Sequence, residues 1–150
     1  MRQISLLIVD DHPMVTEGLK AILSHVENIE VTECVGHAYD ALTFLKKNRV
    51  DVAMVDINLP EVSGIELCEK IKLEFQDVMV LGMSSFHERS YVSGMIQAGA
   101  SGYLVKSASK EEILQALQAA VNGKLYLSAD VDTTPIKPKD PGAVPVLTRR

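Results

Sequence analysis

The 150-residue chain is 47% hydrophobic and 23% charged, a balance that supports one compact domain with a real core and excludes a disordered or fibrous chain. Its longest apolar runs, such as Leu6-Leu7-Ile8-Val9 and Met79-Val80-Leu81, are strand-sized and far below the ~20 residues of a membrane span. Residues 131–150 are net basic, so the formal charge of −5 becomes about −7 over the first 130, and without a Lys/Arg cluster the chain by itself is not expected to grip DNA.

In chain order, the N-terminal residues pass directly into the first apolar run with no cleavage-type segment, and the two cysteines, Cys34 and Cys68, lack metal-ligand spacing. Both features suit a cytoplasmic protein with buried, reduced thiols and no membrane attachment. Short β-branched or aliphatic runs at residues 4–9, 30–36, 51–55, 78–83 and 102–105 alternate with stretches of helical period. The first helix carries Val15, Leu19, Ile22, Leu23 and Val26 as a stripe, and the last repeats it with Ile113, Leu114, Leu117, Ala120 and Val121. Pro13 suits a first helical turn, Ser63 and Ser109 suit N-caps, and Gly99 and Gly123 suit left-handed C-caps. Five apolar strands, each followed by a helix, predict an α/β fold: an open, doubly wound, five-stranded parallel sheet with its cleft beyond the carboxyl ends of the strands. Past Leu127 the period dissolves, and Pro135, Pro138, Pro141 and Pro145 mark residues 128–150 as an extended linker.

What stands at each carboxyl end is polar. The first strand stops at Asp10-Asp11, the third at Asp56, the fourth at Ser84-Ser85 and the fifth at Lys106, whereas the second ends in Gly36-His37. Three carboxylates sharing one rim repel, so they either keep protons or hold a cation. An all-oxygen donor set favours a hard ion, and Mg²⁺ leaves room for water and phosphate oxygens. Together with Lys106 it would neutralise the acids and admit a phosphoryl group. Asp56, single and central, is the expected nucleophile, the adjacent Asp10 and Asp11 suit metal holding, and Ser84 or Ser85 suits donation to the phosphorylated product.

Each of these residues also has a plainer reading. A lone acid at a strand end is most often a solvated turn residue or a helix cap; the joint placement with Lys106 is what argues for a site. His12 beside Pro13 reads as an exposed turn residue rather than a general base. His25, His37 and His87 have no zinc spacing, and no phosphate-binding glycine fingerprint occurs. Alternation sets Tyr103 and Val105 on one face of the last strand and Leu104 and Lys106 on the other; Tyr103 reads as an edge aromatic packed on a helix, or alternatively as a movable ring near a protein-binding face.

Residues 1–127 resemble a response-regulator receiver domain of two-component signalling. The resemblance rests on Asp10-Asp11-His12-Pro13, Val55-Asp56-Ile57-Asn58-Leu59-Pro60 with Gly64, Met83-Ser84-Ser85, and the run from Ala98 to Lys106. It implies a flavodoxin-like (β/α)5 sheet of order 2-1-3-4-5. It implies further that Asp56 accepts phosphoryl from a sensor histidine kinase, and that Asp10, Asp11, Asp56 and the backbone carbonyl of Asn58 hold Mg²⁺. Lys106 then pairs with the phosphate, Ser84 is the switch hydroxyl, Ser85 a small neighbour that keeps the phosphoryl accessible, and Tyr103 the switch aromatic. Asn58 and Phe86 match positions that tune dephosphorylation. Ser107 stands where many receivers have a proline, often after a cis bond.

Asp-Asp-His-Pro, Glu17-Gly18-Leu19 and Gly102-Tyr103-Leu104 narrow the resemblance to receivers of LuxR-type transcription regulators. There a helix-turn-helix domain follows a linker and commonly opens on a Leu-Thr-x-Arg stretch, here matched by Leu147-Thr148-Arg149-Arg150. The expectation is a receiver cut off where the DNA-binding module would begin, with homodimerisation on phosphorylation and DNA contact only through that further domain; a basic tail is the alternative. Self-phosphorylation and self-dephosphorylation are the most catalysis the resemblance implies. Two other classes stay open: a hydrolase with an aspartyl-phosphate intermediate, disfavoured because Asn58 stands where its second acid belongs, and an interaction module that works without phosphate.

Overall fold

The computed structural model describes residues 3–85 and 89–127; the expected linker at 128–150 and Phe86 lie outside the described residues. The elements run β1 (Ile4–Val9), α1 (Pro13–Leu23), β2 (Ile29–Val35), α2 (Ala38–Lys47), β3 (Val52–Asp56), α3 (Gly64–Glu74), β4 (Met79–Ser84), α4 (Arg89–Gln97), β5 (Gly102–Val105), α5 (Lys110–Val121) and β6 (Tyr126–Leu127). All pairings are parallel, in the order β2-β1-β3-β4-β5-β6. The expected five-stranded order is present, extended by the two-residue β6 on the β5 side. Gly102 makes that extension possible, because a Cβ there would collide with the Tyr126 carbonyl oxygen.

Strand alternation divides the core into two layers. Leu7, Val9, Ala53, Val55, Val80, Tyr103 and Val105 pack against α2, α3 and α4, while Leu6, Ile8, Val52, Met54, Leu81, Met83 and Leu104 pack against α1 and α5. The helical stripes supply the second layer: Leu19 and Leu23 from α1, and Ile113, Leu117 and Ala120 from α5, are buried. With both faces covered, the central strands have no polar side to show, which is why they read as continuous apolar runs. Cys68 is buried in α3, but Cys34, on the edge strand β2, is only half-buried; both are free thiols.

Caps set where the helices begin. Pro13 opens α1, the Ser63 hydroxyl accepts the Glu66 amide of α3 at 3.2 Å, and Ser109 and Glu112 form a reciprocal capping box on α5. Gly99 and Gly123 take the positive φ expected of them, 107° and 74°. At Gly64 the requirement is space: its amide donates to the Ile57 carbonyl at 2.8 Å, and a Cβ would strike the Asp56 carbonyl oxygen. The start of α3 is thereby pressed against the end of β3.

Candidate functional site

Parallel register delivers the polar residues to one rim. Val9 pairs with Val55, so Asp10 and Asp56 leave neighbouring strands side by side; Ser84 pairs with Val105, so Lys106 follows immediately beside it. Backbone hydrogen bonds continue the ladder past the strands, from the Asp10 amide to Val35 O (2.9 Å), Ile57 to Met83 O (2.9 Å) and Lys106 to Ser84 O (2.8 Å). The first residue past β1, β3 and β5 is thus still tied to the sheet. β2 contributes only space: Gly36 abuts Asp11, where a Cβ would lie 3.4 Å from its Cα.

Asp10 and Asp56 are buried and Asp11 is exposed. Lys106 Nζ stands 3.0 Å from Asp10 Oδ2 and 3.1 Å from Asp56 Oδ2. Neither oxygen has an aligned hydrogen bond, so the ammonium acts on both mainly as a point charge. Asp56 Oδ1 accepts the Asn58 amide at 3.1 Å. Burial raises the Asp56 pKa above the usual carboxylate range, the Asn58 amide pulls it back, Asp10 raises it, and Lys106 lowers it.

Four of the expected residues, Asp10, Asp11, Asp56 and Lys106, are therefore brought together. Ser84 is fully buried at the same rim, whereas its neighbour Ser85 is exposed. Asn58 is exposed at the start of the β3–α3 loop. Tyr103 stands on the opposite face of β5 from Leu104, fully buried. Its ring lies over Gly82, whose missing side chain leaves room for both the ring and Met95 of α4. Tyr103 thus packs on a helix, as expected, but β6 covers its strand, so it is not an edge residue. The Lys106–Ser107 bond is trans, like every described peptide bond.

The residue that sequence reasoning missed is His12. His12 is exposed, as expected, yet its Nδ1 lies 2.7 Å from Asp10 Oδ1 and 3.4 Å from both Asp11 Oδ1 and Asp56 Oδ2, so the ring reaches in among the acids. The available signal was its place two residues after Asp10, directly before the helix start that Pro13 fixes.

Ligand-capable atoms of Asp10, Asp11, His12 and Asp56 lie within 4.8 Å of one another, close enough to share a metal ion. The three carboxylates outnumber the one ammonium, and two buried carboxylate oxygens lack aligned donors, so the donor set fits a hard divalent cation. A cleft of about 660 Å³ lies elsewhere, opening at the amino ends of β3 and β4 between Arg49, Asp51, Phe75 and Asp77, far from these acids along the strands.

Residues 6–118 match the family model of the response regulator receiver domain. This chain belongs to that family. The receiver is 35% identical over 129 residues to the transcriptional regulatory protein MctR of Rhizobium johnstonii, covering 86% of this chain and 60% of MctR. It is 32% identical to the response regulator UvrY of Escherichia coli, covering 85% of this chain and 59% of UvrY. The chain thus spans about 60% of the length of these curated relatives. Among solved structures, a LuxR-family two-component response regulator from Aurantimonas superposes with a TM-score of 0.81 at 27% identity, covering 86% of this chain and 92% of that one. The receiver domain of NarL from Mycobacterium tuberculosis gives 0.78 at 27% identity, covering 83% of this chain and all of that one. The homologues are signalling proteins rather than conventional enzymes, and no described helix of this receiver is long and apolar enough to cross a membrane.

Proposed function

We propose that this receiver accepts a phosphoryl group on Asp56 from the phosphohistidine of a partner sensor histidine kinase, in the cytoplasm, and uses it to control a DNA-binding output domain. The observation that carries this reading is the meeting of Asp10 and Asp56 on one ammonium, Lys106, at the end of the central strands. An Asp56 oxygen bonds to phosphorus as the phosphorus–nitrogen bond to the kinase imidazole breaks, and the electron pair returns to that ring, which takes a proton from solvent. Asp10, Asp11, Asp56 and the backbone carbonyl of Asn58 are the residues that would hold Mg²⁺. When bound, the ion supplies positive charge against the transferred oxygens and the neighbouring acids. Lys106 is within reach to pair with the product, and the Asn58 amide orients the acceptor carboxylate.

Ser84 would donate its hydroxyl to the product oxygens, Ser85 would keep the phosphoryl accessible, and Tyr103 would report the change to α4 through Met95. On this reading residues 1–127 are the receiver and 128–150 a linker. A homodimer forms on phosphorylation, and DNA is met only through a helix-turn-helix domain beyond this chain. Beyond accepting phosphoryl from the kinase, it carries out at most self-phosphorylation and self-dephosphorylation. Support for the output assignment comes from the LuxR-family neighbour and the transcriptional regulator MctR. Acetyl phosphate with Mg²⁺ tests the chemical step: intact mass should rise by one phosphoryl group, and Asp56→Asn should abolish the gain. A gain that persists in that variant refutes Asp56 as acceptor.

A further inference from the structure

We infer that His12 is a latch: its ring occupies the cation position among the acids when no metal is bound, and must rotate out before a divalent cation enters. The inference rests on the metal-dependent reading of the site and concerns what competes for it. One ring nitrogen reaches Asp10 Oδ1 at 2.7 Å, and Asp11 Oδ1 and Asp56 Oδ2 at 3.4 Å, the three carboxylates that would hold a cation. Asp10 Oδ1 already accepts the His12 backbone amide at 2.9 Å, so ring and amide together saturate an oxygen otherwise open to a metal.

Two contacts of Nδ1 make opposite demands. Asp10 requires it to donate, whereas Lys106 Nζ, 3.1 Å away, would have it accept. The first must prevail, because a nitrogen lone pair facing a carboxylate oxygen at 2.7 Å would be repelled, and Lys106 is already held between two carboxylate oxygens. A nitrogen that carries a proton has no lone pair to give a metal. In this arrangement His12 is therefore a competitor of the cation rather than a ligand.

The ring is free to leave. It is 55% exposed, and although His12 is the N-cap residue of α1, its side chain caps nothing there. His12→Ala consequently removes the latch without removing a helix cap, and the backbone donation to Asp10 survives.

Mg²⁺ titration by calorimetry on the full chain and on His12→Ala tests the inference, since losing one net hydrogen bond to the competitor should tighten Mg²⁺ binding about 3- to 10-fold. Diethyl pyrocarbonate labelling, mapped to His12 by peptide mass, should rise when Mg²⁺ is added to the unsubstituted chain. Weaker Mg²⁺ binding in His12→Ala would make the ring a ligand, and unchanged binding with unchanged labelling would make it a bystander; either overturns the latch. Failure of the unsubstituted chain and His12→Ala alike to bind Mg²⁺ would overturn the metal reading and the latch with it. Binding by the unsubstituted chain without a His12 effect would overturn the latch alone.

Discussion

At the scale of single residues, the acids exact a cost that function requires. Asp56 is buried, and its raised pKa means that the folded state holds the proton more tightly than the unfolded chain, whose value is near 3.8. The stability contributed by that proton is present below the unfolded value and is lost as pH climbs through the folded one. At neutral pH and without divalent cations, the ionised Asp56 therefore weakens the fold. Asp56→Asn keeps the shape and removes the charge, so it should raise Tm at pH 7 in EDTA. Single-residue effects on the order of 1 kcal/mol correspond to about 2–4 °C in a chain of this size. The gain should shrink at pH 4, closer to the unfolded value, because Asp56 in the parent chain takes up its proton as pH falls. Thermal melts at the two pH values decide it, and a lower Tm at pH 7 would mean that the pairing with Lys106 outweighs burial. This balance was only half legible in the sequence. Acids at apolar strand ends announced the convergence, but the direction of the His12 ring depends on a side-chain rotation that no spacing encodes.

At the scale of elements, the sequence was most readable where local chemistry and tertiary need agree. β1 and β5 have the bounds that their apolar runs predict, and β2, β3 and β4 differ from theirs by one residue at each end. Ser63 and Ser109 cap the helices that follow them, because their hydroxyls meet amides no helix can satisfy internally. β6 was not readable: two residues carry no period, and their pairing depends on bare backbone at Gly102 on another strand. The same distinction between conformation and close approach makes a prediction. At Gly123, φ is 74° and no atom lies within 4 Å of where a Cβ would stand, so alanine there should cost about 1 kcal/mol of left-handed strain. At Gly64 the methyl would strike the Asp56 carbonyl oxygen and lie 2.7 Å from Ile57 Cα, both rigid backbone. Gly64→Ala should cost about 3 kcal/mol or more, by forcing α3 away from β3. Urea unfolding of the two variants measures both losses, and equal losses would mean that the α3 start yields easily.

At the scale of the whole molecule, the proposed function asks how a charge gained at Asp56 would reach the far face of the domain. The two core layers are built of buried apolar side chains, and such interiors are close-packed, so the sheet itself offers little room to move. The rim offers more. Ser84 ends β4, its carbonyl holds the Lys106 amide, and two residues back along the strand Gly82 pairs with Tyr103. On the proposed function, a phosphoryl oxygen that drew the Ser84 hydroxyl toward Asp56 would pull on the strand whose other neighbour carries the buried ring. Met95 of α4 and that ring share the space over Gly82, so on this reading a small displacement at β4 would be passed to a helix rather than dissipated in the core. Ser84→Ala separates acceptance from transmission, because the acids and Lys106 remain while the hydroxyl is lost. It should take up phosphoryl from acetyl phosphate with Mg²⁺ as the parent chain does. In amide hydrogen exchange, the parent should show phosphorylation-dependent changes at Tyr91–Gln97 and along β5, and Ser84→Ala should show less than half of that response. A full response in Ser84→Ala would mean that the route runs through Lys106 instead, the other rim residue joined to both Asp56 and β5.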